Sequence, residues 1–243
     1  MIIDTHCHID MYKNPLEIAK ECENKGIITI GMTNLPSHFE MGQPHLLGFK
    51  KVRLALGMHP LFAESHTAEW MKFKKNINKT SYIGEIGLDF SREGIQTKSI
   101  QIDTFKKILN EIRDKKKILS LHSRKAEKDV LQYLKENNIK LAIFHWYSGP
   151  TSLIKEIENA GYYFSVNTSM INTKSGQEIL KNISKEKLLT ESDGPFIEFN
   201  GKIVKSSDII HIHSYLSKLW NMSTEEVGGL IYGNFKTILL NLN

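Results

Sequence analysis

Two histidines near the start of the chain, His6 and His8, could together bind a metal ion. They lie in Ile2–Ile9, a segment whose apolar and β-branched residues predict a strand. Because side chains alternate along a strand, both imidazoles point to one face. Cys7 points to the other face and is predicted to pack as a small apolar residue. The two imidazoles would supply half of a metal site.

Further side chains that can bind metal lie at or just beyond the ends of later predicted strands: Glu85, His122, His145 and Asp193. Burying so many ionisable groups around one axis is costly unless a cation compensates them. We therefore predict a centre with two divalent metal ions. One division places His6, His8 and Asp193 on one ion and His122 and His145 on the other, with Glu85 as a bridge.

Glu85 and Asp193 are also the predicted catalytic residues. Two cations would activate water and stabilise charge that develops on a phosphorus or carbonyl centre. Asp193 could orient that water and take its proton. Imidazole-rich ligation favours Zn or Mn over Mg alone, but the same ligands accept several cations, so the choice among Zn, Mn and Mg stays open.

The elements that must position these residues alternate along the chain. Short β-branched and apolar runs predict eight strands: Ile2–Ile9, Ile27–Met32, Val52–Met58, Tyr82–Gly87, Ile118–His122, Leu141–Trp146, Tyr162–Val166 and Leu188–Glu191. Helical periodicity predicts Pro15–Asn24, Thr67–Ile77, Thr97–Lys116, Lys125–Asn137, Thr151–Ala160, Ser175–Ile183, Asp208–Leu219 and Glu225–Tyr232. The stretch Thr33–Gly48 is the least regular and predicts only a short helix.

Eight strand–helix units predict an α/β fold, a single (β/α)8 TIM-like barrel of the metal-dependent hydrolase type that spans residues 1–243 as one domain. A doubly wound open sheet is the alternative. The Gly-rich phosphate-binding fingerprint of that class does not follow the first predicted strand. In a barrel, the carboxyl ends of the strands would gather the six residues at one mouth.

Composition predicts a soluble, cytoplasmic protein. No apolar run is long enough to cross a membrane, and no secretory leader opens the sequence. Two cysteines make a disulfide framework improbable and favour a reducing compartment. The formal net charge of +5 permits binding to a polyanion without demonstrating it.

The chain resembles the TatD family of metal-dependent deoxyribonucleases over nearly its whole length. The motifs that carry the resemblance occur in family order: His6-Cys7-His8, Gly57-Met58-His59-Pro60, Gly84-Glu85-Ile86-Gly87-Leu88-Asp89, His122-Ser123-Arg124, His145 with Ser148-Gly149, Ser192-Asp193-Gly194-Pro195 and Gly233-Asn234-Phe235. The resemblance assigns the same six residues to metal. It also implies cleavage of phosphodiester bonds in DNA, with single-stranded or frayed ends as the substrate and often from the 3′ end toward the 5′ end.

The resemblance draws attention to three residues as substrate contacts. His59 would lie at the rim, where it can contact the scissile phosphate, although His59-Pro60 is also a plausible turn. Arg124 could clamp a phosphate oxygen or could pair with a neighbouring carboxylate. Ser148 could present a hydroxyl to a phosphate or belong to a plain turn.

Some positions depart from the family pattern. Leu61-Phe62 stands where many members have a histidine, and Tyr147 precedes Ser148 where many have Phe, so substrate contacts are expected to differ. Three segments look more like the TatD-type nuclease of the Qat anti-phage defence system: His145–Gly149, Ser165–Asn167 and Asp193–Phe196. That subtype implies protein partners, including an ATPase and a QueC-like enzyme.

Two other functions stay open at this stage. An amidohydrolase that acts as a deacylase, deaminase or lactonase could use the same barrel, but many of these bridge their metals with a carboxylated lysine, and the fourth predicted strand contains none. A non-catalytic subunit that binds nucleic acid is the other alternative, and no aromatic stacking platform is evident in the sequence.

Overall fold

The computed structural model describes residues 1–242 and places nine short parallel strands around one axis. Their bounds are β1 Ile3–Cys7, β2 Ile28–Gly31, β3 Val52–Leu54, β4 Leu56–Met58, β5 Tyr82–Gly87, β6 Ile118–His122, β7 Ala142–His145, β8 Tyr163–Val166 and β9 Leu188–Thr190. They form two ladders, β1-β2-β3 and β4-β5-β6-β7-β8-β9. All seven pairings within these ladders are parallel, as the (β/α)8 prediction requires.

The junction between the two ladders lies inside the third predicted strand. Val52–Met58 is divided at Ala55 into β3 and β4, so nine strands occupy eight positions in the barrel. The Ala55 amide donates to the Gly31 carbonyl at 2.8 Å, and the Ala55 carbonyl accepts from the Thr33 hydroxyl at 2.9 Å. The backbone groups freed by the break are therefore satisfied by the neighbouring strand.

The barrel closes between its first and last strands along what we call the seam. Within residues 1–242, no continuous ladder joins β1 to β9. Instead, the Thr5 hydroxyl donates to the Thr190 carbonyl at 3.0 Å, and the Thr190 hydroxyl donates to the Ile3 carbonyl at 2.5 Å. Just beyond β9, the Asp193 amide donates to the His6 carbonyl at 2.9 Å. Side-chain and loop-backbone hydrogen bonds thus connect β1 to β9 and the loop after it in place of a regular ladder.

Ten helices surround the strands within the described part of the chain: α1 Pro15–Asn24, α2 Pro36–Leu46, α3 His66–Asn76, α4 Lys98–Ile112, α5 Glu127–Glu136, α6 Ile154–Asn159, α7 Thr168–Asn172, α8 Lys174–Asn182, α9 Ile209–Trp220 and α10 Thr224–Leu240. A short antiparallel hairpin lies between β9 and α9, and each of its strands has two residues: β10 Glu198–Phe199 and β11 Lys202–Ile203.

Several predicted helices differ from those observed. The prediction of only a short helix in Thr33–Gly48 was wrong, because α2 has eleven residues and begins with Pro36 at its first position. The helix expected over Thr97–Lys116 ends earlier, at Ile112. The last helix continues to Leu240, and its start is fixed by a capping box between Ser223 and Glu226.

The hydrophobic core is one continuous cluster of buried residues between the strands and the helices. Helix α4 shows how the helices contribute, because its buried residues Phe105, Ile108, Leu109 and Ile112 recur every three or four positions. No helix in residues 1–242 combines the length and apolar character needed to cross a bilayer.

Candidate metal centre

The six residues predicted to bind metal converge at the carboxyl ends of the barrel strands, where barrel enzymes carry their active sites. His6 lies in β1 and His8 follows it, Glu85 lies in β5, His122 and His145 end β6 and β7, and Asp193 follows β9. A cleft of about 670 Å³ opens at this mouth and is lined by five of the six. His6 lies beneath it and is fully buried.

Glu85 is the centre of the cluster, and its two carboxylate oxygens face different imidazoles. Oε1 lies 2.6 Å from His122 Nδ1 and 3.3 Å from His145 Nε2. Oε2 lies 3.2 Å from His8 Nε2 and 3.5 Å from His6 Nε2. A carboxylate in this position can bind one cation with each oxygen, which is the bridging role predicted for Glu85.

Asp193 completes a compact group with the two histidines of β1. The Nε2 atoms of His6 and His8 lie 3.2 Å apart, and Asp193 Oδ1 lies 3.7 Å from the first and 3.9 Å from the second. The Asp193 backbone has a φ of 46°, a left-handed conformation that is uncommon outside glycine. The hydrogen bond from its amide to the His6 carbonyl across the seam holds this conformation. Burial raises the pKa of the Asp193 carboxyl to about 7.

Glu85 itself belongs to two further groups, which separate His145 from His122 although the sequence predicted both on one ion. His145 groups with His6 and Glu85, and His122 groups with Glu85 and His59. The family resemblance implies that His59 contacts the substrate, yet its Nε2 lies 3.3 Å from Glu85 Oε2, and the residue is buried. His59 therefore lies within the cluster and not merely at its rim.

A second layer of polar side chains holds the outer nitrogens of three histidines. Ser120 Oγ lies 2.8 Å from His6 Nδ1, and Asp89 Oδ2 lies 2.7 Å from His122 Nε2. Both oxygens of Glu191 lie 3.3 Å from His145 Nδ1. Partners of this kind fix the tautomer and the orientation of metal-binding histidines.

Ser120, Asp89 and Glu191 are not among the residues predicted from the sequence, although signals for them exist. Asp89 ends the Gly84–Asp89 motif, and Ser120 precedes His122 by two positions, which puts both side chains on one face of β6. Glu191 similarly precedes Asp193 by two positions. Only the fold shows which of the nearby polar residues face the cluster.

Glu191 is fully buried and accepts from several donors at once. Its Oε1 accepts from the Trp146 amide at 3.1 Å and from Asn167 Nδ2 at 2.9 Å. Its Oε2 accepts from the Ser165 hydroxyl. The carboxylate is thus held rigidly behind His145 and has no contact with solvent.

The pKa values of the cluster reflect how tightly its charges interact. Burial alone would raise the pKa of Glu85, but the charges of His59 and His145 and the hydrogen bond with His122 hold it well below its ordinary range. For His122 and His145, burial alone would lower the pKa. Nevertheless, Asp89 and Glu85 raise the pKa of His122 to about 9, and Glu191 and Glu85 raise that of His145 well above its ordinary value.

The residues fit divalent cations. In each of the three groups the ligand atoms lie within 4.8 Å of one another, and each group is made of imidazole nitrogens and carboxylate oxygens. This donor set suits transition metals such as Zn and Mn. Protons on His122 and His145 balance the Glu85 carboxylate, and a bound cation would supply the same positive charge in their place.

The other two predicted substrate contacts also line the cleft. Arg124 is half exposed, and its Nη1 lies 3.5 Å from Glu93 Oε2, so the ion pair considered from the sequence is present. Ser148 lies on the cleft wall in the loop after β7. Their contacts with a substrate stay predictions.

Comparisons with known proteins identify the family. The profile described as TatD related DNase matches residues 3–240. An uncharacterized metal-dependent hydrolase of Bacillus subtilis, YabD, is 27% identical over 254 residues, covering 98% of each chain. The human deoxyribonuclease TATDN3 is 23% identical, covering 93% of this chain and 90% of its own. The TatD homologue YjjV of Escherichia coli is 20% identical, with a TM-score of 0.84 and coverage of 98% and 97%, and it shows the same fold. The chain belongs to the TatD family of metal-dependent hydrolases.

Proposed function

We propose that this chain is a phosphodiesterase that hydrolyses DNA and holds two divalent cations, one on each side of Glu85. The observation that carries the proposal is the division of the Glu85 oxygens, since Oε1 faces His122 and His145 while Oε2 faces His6 and His8. A single ion would need only part of this ligand set.

The bound cations would lower the pKa of water and offset the charge that develops on phosphorus. The chain's own residues would do the rest. Asp193 borders the cleft from the seam side, where its carboxylate would orient the attacking water and take its proton. His59, whose Nε2 lies 3.3 Å from Glu85 Oε2, would contact the scissile phosphate together with Arg124 and the hydroxyl of Ser148.

DNA as the substrate is supported by the name of the human relative, a deoxyribonuclease. Cleavage from the 3′ end follows from the family resemblance alone. The deacylase alternative loses support because β5, the strand that carries Glu85, contains no lysine to bridge metals. A role in anti-phage defence beside an ATPase and a QueC-like enzyme stays a prediction of the sequence resemblance.

The test is hydrolysis of single-stranded DNA labelled at either the 5′ or the 3′ end. Protein freed of metal by a chelator would receive Mg²⁺, Mn²⁺, Co²⁺ or Zn²⁺ in separate reactions. We expect metal-dependent cleavage that Glu85→Ala abolishes. Glu158→Gln is the matched control, because Glu158 is a buried carboxylate on α6 that does not line the cleft.

Two results would refute the proposal. One is no cleavage with any of the four cations. The other is equal cleavage by wild type and Glu85→Ala, which would indicate a contaminating nuclease. The position of the label also reports direction, since an enzyme that starts at the 3′ end releases a 3′ label first. Metal content of the purified protein, measured by mass spectrometry, should approach two ions per chain and fall in Glu85→Ala.

A further inference from the structure

Three aromatic rings stand at the mouth of the cleft and are partly exposed to solvent. Phe62, Trp146 and Phe196 expose 40%, 37% and 56% of their surface, and all three line the cleft. Large aromatic residues usually bury most of their area, so three of them around one opening indicate a surface that binds something.

Each ring contacts a different histidine of the cluster. The ring centroids of Phe196 and His8 lie 4.9 Å apart, those of Phe62 and His59 5.9 Å, and those of Trp146 and His145 6.5 Å. All three pairs meet edge to face. The aromatic surfaces therefore begin one side chain away from the place where the reacting phosphate must lie.

The backbone of Trp146 shows that this ring is held in place by the same residue that holds the cluster. Its φ is 35°, a left-handed conformation that is costly for a bulky residue and persists only where surrounding contacts enforce it. The contact is the Trp146 amide, which donates to Glu191 Oε1 at 3.1 Å, while the same carboxylate faces His145. Glu191 thus positions both the candidate metal ligand His145 and the ring of Trp146.

Basic side chains contribute little to the lining of the cleft. Among the described residues that line it, Arg124 is the single Lys or Arg, and Glu93 lies 3.5 Å from its guanidinium. Proteins that follow a long single strand normally offer a basic groove for its phosphates. The apolar part of the cleft lining comes from the three rings together with Met11 and Leu61. The cleft is built to bind flat apolar groups beside one or two phosphates.

We propose that Phe62, Trp146 and Phe196 stack on unpaired nucleobases next to the scissile phosphate. This inference rests on the proposed function and assigns recognition of an unpaired DNA end to these three rings, which would contact its bases instead of its backbone charge. Bases within an intact duplex are already stacked and cannot offer their faces to these rings. Recognition would tolerate any base, because every base has an aromatic face.

The three rings correct the expectation from the sequence, in which no aromatic stacking platform was evident. They come from the loops after β4, β7 and β9 and are separated by 84 and 50 positions, the differences between residues 62, 146 and 196. No local motif connects them. They become a platform only when the barrel brings those loops to one rim.

The test compares two oligonucleotides with the same phosphates, one with normal bases and one with abasic sites at its two terminal positions. For wild type we expect kcat/KM on the abasic strand to be roughly 5- to 150-fold lower, the range for loss of one stacked base. Trp146→Ala should lower kcat/KM on the normal strand toward the abasic value and leave the abasic strand unchanged. Trp146→Phe should restore most of the loss.

Control variants separate stacking from damage to the fold. Phe196→Ala removes the most exposed of the three rings and should act in the same direction. Trp220→Ala, at the end of α9 and away from the cleft, should cleave both strands like wild type. Thermal unfolding of each variant would show that it is folded. Equal cleavage of the normal and abasic strands by wild type would overturn the inference while leaving the nuclease proposal intact.

Binding gives a second measurement that does not depend on catalysis. In chelator, the normal strand should quench tryptophan fluorescence more than the abasic strand does, and Trp146→Phe should remove that difference. Absence of base-dependent quenching would count against stacking even if the protein cleaves DNA. If no cation supports cleavage, the proposed function fails, and base-dependent quenching would still establish the platform.

Discussion

Replacing Glu191 with glutamine tests how the buried second layer sets up the cluster. The carboxylate accepts four hydrogen bonds, from the Trp146 amide, Asn167 Nδ2, the Ser165 hydroxyl and His145 Nδ1. An amide can accept at only one end. The Trp146 amide and Asn167 can only donate to Oε1, so the glutamine oxygen must stay there and its NH₂ group must occupy the Oε2 position.

That placement keeps one acceptor, at Oε1, and turns a donor toward His145 Nδ1 from the Oε2 position, each 3.3 Å away. When His145 is neutral, as metal binding requires, Glu191 keeps the proton on Nδ1, so that Nε2, which faces Glu85 at 3.3 Å, offers its lone pair to a metal. In the Glu191→Gln variant the NH₂ group favours the opposite tautomer, in which Nε2 is protonated and cannot bind a cation. Loss of such an outer partner typically lowers metal affinity 10- to 100-fold, or about 1.4–2.7 kcal/mol. We expect Glu191→Gln to fall within that range.

The assay is titration calorimetry with Zn²⁺ or Mn²⁺ on protein freed of metal. Activity at limiting metal should fall by the same factor and recover at high metal, because the substitution leaves the ligands themselves in place. Glu158→Gln, a buried carboxylate that hydrogen-bonds Ser184, is the matched control and should bind metal like wild type. A Glu191→Gln protein that is folded and binds metal within twofold of wild type would refute the tautomer argument.

Three further predictions concern other parts of the chain. Asp89→Asn should lower the pKa of His122 from about 9 in metal-free protein, because Asp89 raises that pKa against burial, and an unchanged value in NMR titration would exclude the contact. Burial and the N-terminal charge hold the pKa of His213 at about 4, below the unfolded value of 6.5, so its protonation in the unfolded state costs stability as pH falls through that window. Between pH 7 and pH 4, wild type should therefore lose up to about 3 kcal/mol more than His213→Gln in urea unfolding, and parallel losses would contradict this. Gly57→Ala should destabilise strongly, by roughly 3 kcal/mol or more, because its Cβ would lie 1.5 Å from a backbone oxygen. Gly229→Ala, exposed inside α10 with open space around it, should instead stabilise by about 0.5–1 kcal/mol, and the pair is compared by thermal unfolding.

Much of the fold follows from local patterns in the sequence. The predicted strands Tyr82–Gly87 and Ile118–His122 are reproduced residue for residue, because short runs rich in apolar and β-branched residues between turns are typical of buried strands. The break at Ala55 was not predictable, because it depends on how the Gly31 carbonyl and the Thr33 hydroxyl approach from another strand. Helix α2 was underestimated because Pro44 lies inside it and weakens its periodicity.

In the candidate site, too, some residues could be predicted from the sequence and others could not. The six candidate ligands could be selected because their types and their positions at strand ends both indicate metal binding. The position of His59 against Glu85, the partners Asp89 and Glu191 and the aromatic rim all depend on contacts between distant segments. These contacts leave no local periodicity, so the sequence indicates the chemistry of the centre more clearly than its supporting residues.

The seam has a consequence for the order in which the protein matures. It joins β1 with the loop after β9, the last strand of the barrel, so the group of His6, His8 and Asp193 cannot form until nearly the whole barrel has emerged from the ribosome. Because the chain is made at only tens of residues per second or fewer, that interval lasts many seconds. A polypeptide that ends before Asp193 lacks the carboxylate and cannot assemble the group. Any hydrolytic capacity that depends on this group would therefore arise only late in translation.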